Sequence, residues 1–128
     1  MTRTRYVLLV LRALWELGRY DLVNATLGFQ RICRELERQR VEAAGNEGIE
    51  ALVCEAVSLA TCFYWKPVYC LQRSVAACRL LKSHGISGRL VIGYRPSPFF
   101  SHAWVEVDGR IVNDSPAYKE RLYVLCTF

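Results

Sequence analysis

The chain has 128 residues, with 17 Lys and Arg against 12 Asp and Glu, a formal net charge of +5. That length implies one domain, and the apolar content is ample for a core. The first 50 residues hold eight Arg against seven acids and the rest nine basic against five acidic residues. The basic residues are dispersed and no nucleic-acid-binding motif accompanies them, so nucleic acid is excluded as a partner, while an acidic peptide suits the basic second half.

Residues 5–18 predict a helix. Val7, Leu8, Leu11, Leu14, Trp15 and Leu17 give it a wide apolar face, and Gly18 is placed to end it. A second helix is expected from Asp21, as its cap, to Gln39. Leu22, Ala25, Phe29, Ile32, Cys33 and Leu36 recur at helical spacing, and Gly28 weakens the middle. Ala44-Gly45-Asn46 reads as a break. Asn46 would cap a third helix running to about Tyr64, with Glu47 and Glu50 in its first turn. That helix is apolar on most sides, which predicts that it is well buried.

Trp65-Lys66-Pro67 ends it. A fourth helix is expected from Cys70 to about His84, apolar over most of its girth, with Gln72, Arg79 and Ser83 as a narrow polar stripe. That is the pattern of a central helix packed against a sheet, and Gly85 is placed to cap it. Residues 88–95 then read as a strand and residues 96–101 as a loop. His102–Val107 alternates as a strand, Asp108-Gly109 is a hairpin turn signal, and residues 110–114 form the return strand. Residues 122–125 read as an edge strand. The fold class is α+β: helices first, then a small antiparallel sheet.

Six cysteines raise the question of staples. Arg12 and Glu16 interrupt the apolar run Val7–Leu11, so no cleavable signal peptide is expected. Cys54, Cys62, Cys70 and Cys78 recur every eight residues without CxxC spacing, which argues against a zinc site. We therefore expect no metal, no disulfides, and five buried, inert thiols beside one reactive one, in the cytoplasm. No membrane span is expected.

The reactive one is Cys70. A proline breaks the chain just before it and a helix follows, so the thiol meets the unpaired N–H groups and positive dipole of a helix start. His102 and Asp114 are twelve positions apart, centred on the Asp108-Gly109 turn. A tight hairpin brings them within about one residue of facing each other, where Cβ atoms lie roughly 4.5–5.5 Å apart. A carboxylate at that distance orients an imidazole and stabilises its protonated form. His84 is fourteen residues along the helix from Cys70, about 21 Å away at 1.5 Å per residue, and is excluded as its base. Trp104 shares a face with His102 and is read as core. Trp65 and Tyr69 are candidates to line a cleft, with core packing the weightier reading. Phe99 and Phe100, in the loop before His102, are candidates to contact substrate. Gln72 is expected to point away from Cys70. The backbone N–H of Cys70 would serve an oxyanion hole, with its second donor unassigned.

Cys70-Leu71-Gln72-Arg73-Ser74, Gly88-Arg89-Leu90-Val91-Ile92-Gly93, His102-Ala103-Trp104-Val105-Glu106 and Val112-Asn113-Asp114 together resemble the lasso-peptide maturation peptidases. These form part of the transglutaminase-like branch of the papain-like cysteine peptidases. The resemblance covers about residues 50–116. It implies a catalytic core over residues 46–128, with 1–45 as a helical extension. It also implies that Cys70 is the nucleophile, His102 the general base and acid, and Asp114 the orienting residue. The substrate would be a ribosomally made precursor peptide, cleaved at its leader–core junction without a cofactor. Fused members carry a leader-recognition domain that this chain lacks, so a separate leader-recognition protein is implied, with residues 1–45 as a docking candidate. An ATP-dependent macrolactam synthetase would act next and is a candidate partner. The same triad also fits another acyl transferase or amidase, and the fold alone fits a non-catalytic scaffold for the synthetase.

Overall fold

The computed structural model describes residues 2–42 and 48–128. In chain order it contains α1 (Arg3–Leu27), α2 (Phe29–Arg38), α3 (Ile49–Phe63), α4 (Cys70–Ser83), β1 (Arg89–Pro96), β2 (Phe99–Val107), β3 (Arg110–Ile111), α5 (Ala117–Arg121) and β4 (Tyr123–Thr127). The strands form one antiparallel sheet of order β3-β2-β1-β4. The fold is α+β, as the order of helical and strand signals implies.

The helical half departs from expectation at two glycines. Gly18 does not end a helix. It lies inside α1, whose Leu9, Ala13, Leu17 and Val23 are all buried along one continuous face. A glycine inside a helix costs only about 1 kcal/mol relative to alanine, less than burying one large apolar side chain contributes. Thr2 caps α1 by accepting from Arg5 N. Asp21 is therefore no cap. Its carboxylate accepts from the Tyr64 hydroxyl and pairs with Lys66 at 2.9 Å. The break falls at Gly28, with φ 83° and ψ 166°, a region essentially closed to residues with a Cβ.

The expected break at Ala44-Gly45-Asn46, with Asn46 and Glu47, lies outside the described residues. α3 follows Gly48 and carries Glu50 in its first turn. It is buried on one side only, through Ile49, Val53, Ala56, Val57 and Ala60, while Leu59 and Phe63 face solvent. α4 is the central helix. It packs on α1, α3 and β2, and Val75, Ala76, Ala77, Cys78, Leu80 and Leu81 are buried. Two polar residues are buried with them by bonding to helix carbonyls. Gln72 Nε2 donates to Leu17 O over 2.9 Å, and Lys82 Nζ to Leu36 O over 2.5 Å. Gly85, at φ 84°, follows the helix, and Ile86 N returns to Leu81 O.

In the sheet, the expected loop over residues 96–101 is a two-residue turn. Pro96 pairs with Phe99, so β2 begins three residues early. Arg95 covers this end of the sheet, with its guanidinium 5.7 Å from the centre of the Phe100 ring. The Asp108-Gly109 turn is present, both residues at positive φ, and pairs Val107 with Arg110. The return strand stops at Ile111 rather than running to residue 114. The short helix α5 follows, and β4 pairs with β1.

Alternation divides β2 between two cores. Ala103, Val105 and Val107 join the main core with the helices. Trp104 turns to the other face, where it is buried with Val91 and Leu122 beside Tyr118.

Candidate active site

Cys70 is the first residue of α4. Tyr69 before it has extended backbone, and its carbonyl accepts from Arg73 N to close the first turn. The N–H groups of that turn lack acceptors inside the helix, so their dipoles surround the thiol. α1 approaches from the side. Burial pushes the Tyr20 phenol up, helped by the neighbouring Asp21 carboxylate.

His102 lies on the Trp104 face of β2, opposite Gly93. Its Nε2 meets Asp114 Oδ2 at 2.7 Å. An ionised Asp114 only accepts, so Nε2 is the donor of this bond, and a neutral imidazole in that tautomer has its lone pair at Nδ1. The turn brings the two residues near each other, but β3 ends at Ile111, so Asp114 reaches His102 from the irregular segment that follows the strand and not from the hairpin register. The early end of β3 matters as well. β3 covers β2 only at Glu106 and Val107, so the edge beside His102 is open to groups from α4.

Arg73 uses that opening. Its Nη2 donates to the same Asp114 Oδ2 over 3.0 Å, and Ser115 N donates to Oδ1 over 2.8 Å. A second tie lies beneath. Asn113 Nδ2 donates to Ser74 Oγ over 3.0 Å, Ser74 Oγ donates to Ala103 O over 3.2 Å, and Val105 N donates to Asn113 Oδ1 over 2.8 Å. The asparagine amide thus replaces the strand partner that β2 loses where β3 ends. Tyr118 of α5 stacks on the imidazole with ring centres 4.1 Å apart, and Phe100 flanks it at 6.1 Å.

None of Arg73, Ser74, Asn113, Tyr118 or Tyr20 is singled out by sequence. Arg73 and Ser74 had one available signal: they follow Cys70 by one helical turn and so share its end of α4. Tyr118 had none, because α5 has only five residues.

The aromatic candidates divide. Trp65 and Tyr69 are not core residues: they are 79% and 75% exposed. They lie where α3 has ended and α4 is just beginning, with no helix or strand over them, and Trp65 rests against Tyr64 and Lys66. Phe99 is 75% exposed and stands apart from the imidazole, whereas Phe100, at 40%, belongs to the stack around it. Gln72, expected in a polar stripe, is instead buried and turned toward α1. His84 caps the far end of α4, its Nδ1 2.8 Å from Leu80 O.

All six cysteines are free. The expectation of five buried thiols is corrected: only Cys33 and Cys78 are fully buried, and Cys62 is exposed. Cys62 lies in the last turn of α3, on the side turned from the core. Burial pushes the thiols of Cys33, Cys54 and Cys78 up to about 11.

The family model of the transglutaminase-like superfamily matches residues 7–127. A 56-residue stretch is 48% identical to the microcin J25-processing protein McjB of Escherichia coli. The matched stretch covers 44% of this chain and 27% of that protein, so the chain matches only about a quarter of that relative's length. No solved structure matches.

Proposed function

The chain belongs to the transglutaminase-like superfamily, and we propose that it is the cysteine peptidase that removes the leader from a ribosomally made lasso-peptide precursor. The observation that carries this reading is the 2.7 Å contact between His102 Nε2 and Asp114, on a carboxylate also held by the helix that begins with Cys70. The name of McjB, a microcin J25-processing protein, supports the substrate class.

In this mechanism His102 Nδ1 takes the Cys70 proton and the thiolate attacks the carbonyl at the leader–core junction. The carbon–nitrogen bond breaks as the imidazolium returns the proton to the departing core amine. The leader remains as a thioester on Cys70. Water, deprotonated by the neutral imidazole, then attacks the thioester and releases the leader acid and the thiol. The N–H of Cys70 would face the oxyanion. The freed amine suits a later ATP-dependent macrolactam synthetase, a separate protein.

We further propose that a separate leader-recognition protein presents the substrate. α1 supports this. It turns Leu8, Leu11, Trp15 and Leu22 to solvent on the face away from Leu9, Ala13 and Leu17, bordered by the exposed arginines Arg3, Arg5 and Arg12. An apolar stripe with basic borders fits an apolar partner surface with acidic flanks.

The test is to incubate precursor with the chain, with and without the recognition protein, and to weigh the products. Cleavage with a gain of one water, dependent on Cys70 and stimulated by the partner, is expected. A Cys70→Ala variant that still cleaves would falsify the enzyme reading. Addition of an amine in place of water would make the protein an acyl transferase.

A further inference from the structure

Asp114 is the point where three parts of the chain meet. Oδ2 accepts from His102 Nε2 of β2 at 2.7 Å and from Arg73 Nη2 of α4 at 3.0 Å, while Oδ1 accepts from Ser115 N at 2.8 Å. The Ser74–Asn113 tie pins the neighbouring backbone to α4 and β2. It does not touch the carboxylate, so it leaves the rotation of the Asp114 side chain undetermined. Arg73 is the group from the thiol-bearing helix that reaches the carboxylate directly.

The guanidinium is oriented for that contact at a cost to itself. Its Nε is buried and has no hydrogen-bond partner among the described residues. Buried donors are nearly always paired, so an unpaired one calls for a reason. Here the planar fork is turned so that Nη2 meets the oxygen already used by the imidazole. A lysine ammonium, a point charge on a flexible stem, would not hold that oxygen in one direction.

We propose that Arg73 is a positioning residue for the proposed reaction. By sharing Oδ2 with His102, it fixes the Asp114 rotamer and registers the imidazole against the helix that carries Cys70. The inference rests on the reading of Cys70, His102 and Asp114 as one catalytic unit. Arg73 from α4, Tyr118 from α5 and Tyr20 from α1 are the titratable or charged groups placed against that unit among the described residues.

Two readouts test it. The first needs no substrate: the low-field N–H proton resonance of the His102 imidazole, assignable because the chain has only two histidines. In Arg73→Ala this resonance is expected to move or broaden away, and to return when guanidinium ion is added at millimolar concentration. The second is precursor cleavage. Arg73→Ala is expected to lower kcat by about 10²-fold, the scale of a 1 Å misplacement, with KM unchanged and partial rescue by guanidinium ion. Arg73→Lys should recover only part of the rate. A resonance left at its wild-type position in Arg73→Ala, or a lost rate that guanidinium ion does not raise, overturns the proposal. If circular dichroism shows that Arg73→Ala does not fold, Arg73→Lys decides: wild-type resonance and wild-type kcat together overturn it. Failure of the wild-type chain to cleave precursor would count against the peptidase reading alone, since the resonance is read without substrate.

Discussion

In the proposed site Asp114 orients the imidazole as a pure acceptor. Asp114→Asn would place either an amide N–H or a single carbonyl oxygen where His102 Nε2 and Arg73 now share Oδ2. The imidazole would then turn or take the wrong tautomer. The expected result is a kcat loss of roughly 10²–10⁴-fold, the usual worth of positioned proton transfer, with a thermal unfolding midpoint close to wild type. A second residue-scale prediction concerns the other thiols. Burial raises Cys33, Cys54 and Cys78 to about 11, so at pH 8 they lie well below their titration and stay as thiols. Iodoacetamide at pH 8 should leave those three peptides unmodified in folded protein and label them in urea, as read by peptide mass mapping. At this scale the His102–Asp114 pair was legible because a hairpin turn ties sequence distance to spatial distance. Arg73 was not, because a long flexible side chain reaching round a strand edge leaves no periodic trace. The core reading of Trp65 and Tyr69 failed because aromatic residue type predicts burial only on average, and the α3–α4 connection leaves both uncovered.

The elements show the same division between local and tertiary control. Helix type was legible from apolar spacing, but not which glycine breaks a helix. Gly18 is absorbed because both halves of α1 bury one continuous face, whereas Gly28 adopts backbone angles that only glycine tolerates. β2 is longer and β3 shorter than their patterns imply, and the second difference opens the edge through which Arg73 of α4 reaches Asp114 beside the histidine. α5 escaped notice, yet it lays Tyr118 on the imidazole. Gly93 gives an element-scale prediction. It pairs with His102 in the sheet, and a Cβ there would sit 2.5 and 2.8 Å from ring carbons of Trp104 and 3.1 Å from Leu122 Cβ. Trp104 is fully buried and its Nε1 is held by Glu106 at 2.8 Å, so the ring has little room to retreat. Gly93→Ala should destabilise by about 1–3 kcal/mol, as overpacking does, and lower the rate by displacing β2 beneath His102. Urea unfolding checks the first part; an unfolding midpoint equal to wild type would mean that the sheet yields more easily than this packing implies.

On the scale of the whole molecule, α1 is apolar on two sides. One side builds the core against α3 and α4. The other exposes Leu8, Leu11, Trp15 and Leu22, and its borders are basic. The sequence displayed all of these residues, but a helical period alone cannot say which apolar face the fold covers. Trp15, at 65% exposed, separates stability from docking. A surface substitution free of special contacts changes stability by no more than about 0.5 kcal/mol, so Trp15→Glu should melt close to wild type. If the outer face of α1 receives the leader-recognition protein, removing a tryptophan anchor and adding a charge should weaken that association about tenfold or more. Partner-stimulated cleavage should fall while cleavage by the isolated chain is unchanged. The basic border adds a second expectation: raising salt from 50 to 500 mM should weaken the wild-type association, because the screening length falls from above about 10 Å below 0.1 M to a few ångström near 1 M. Calorimetry with the purified partner reads both effects. Unchanged affinity in Trp15→Glu would remove α1 as the docking face and leave the leader to arrive by another surface.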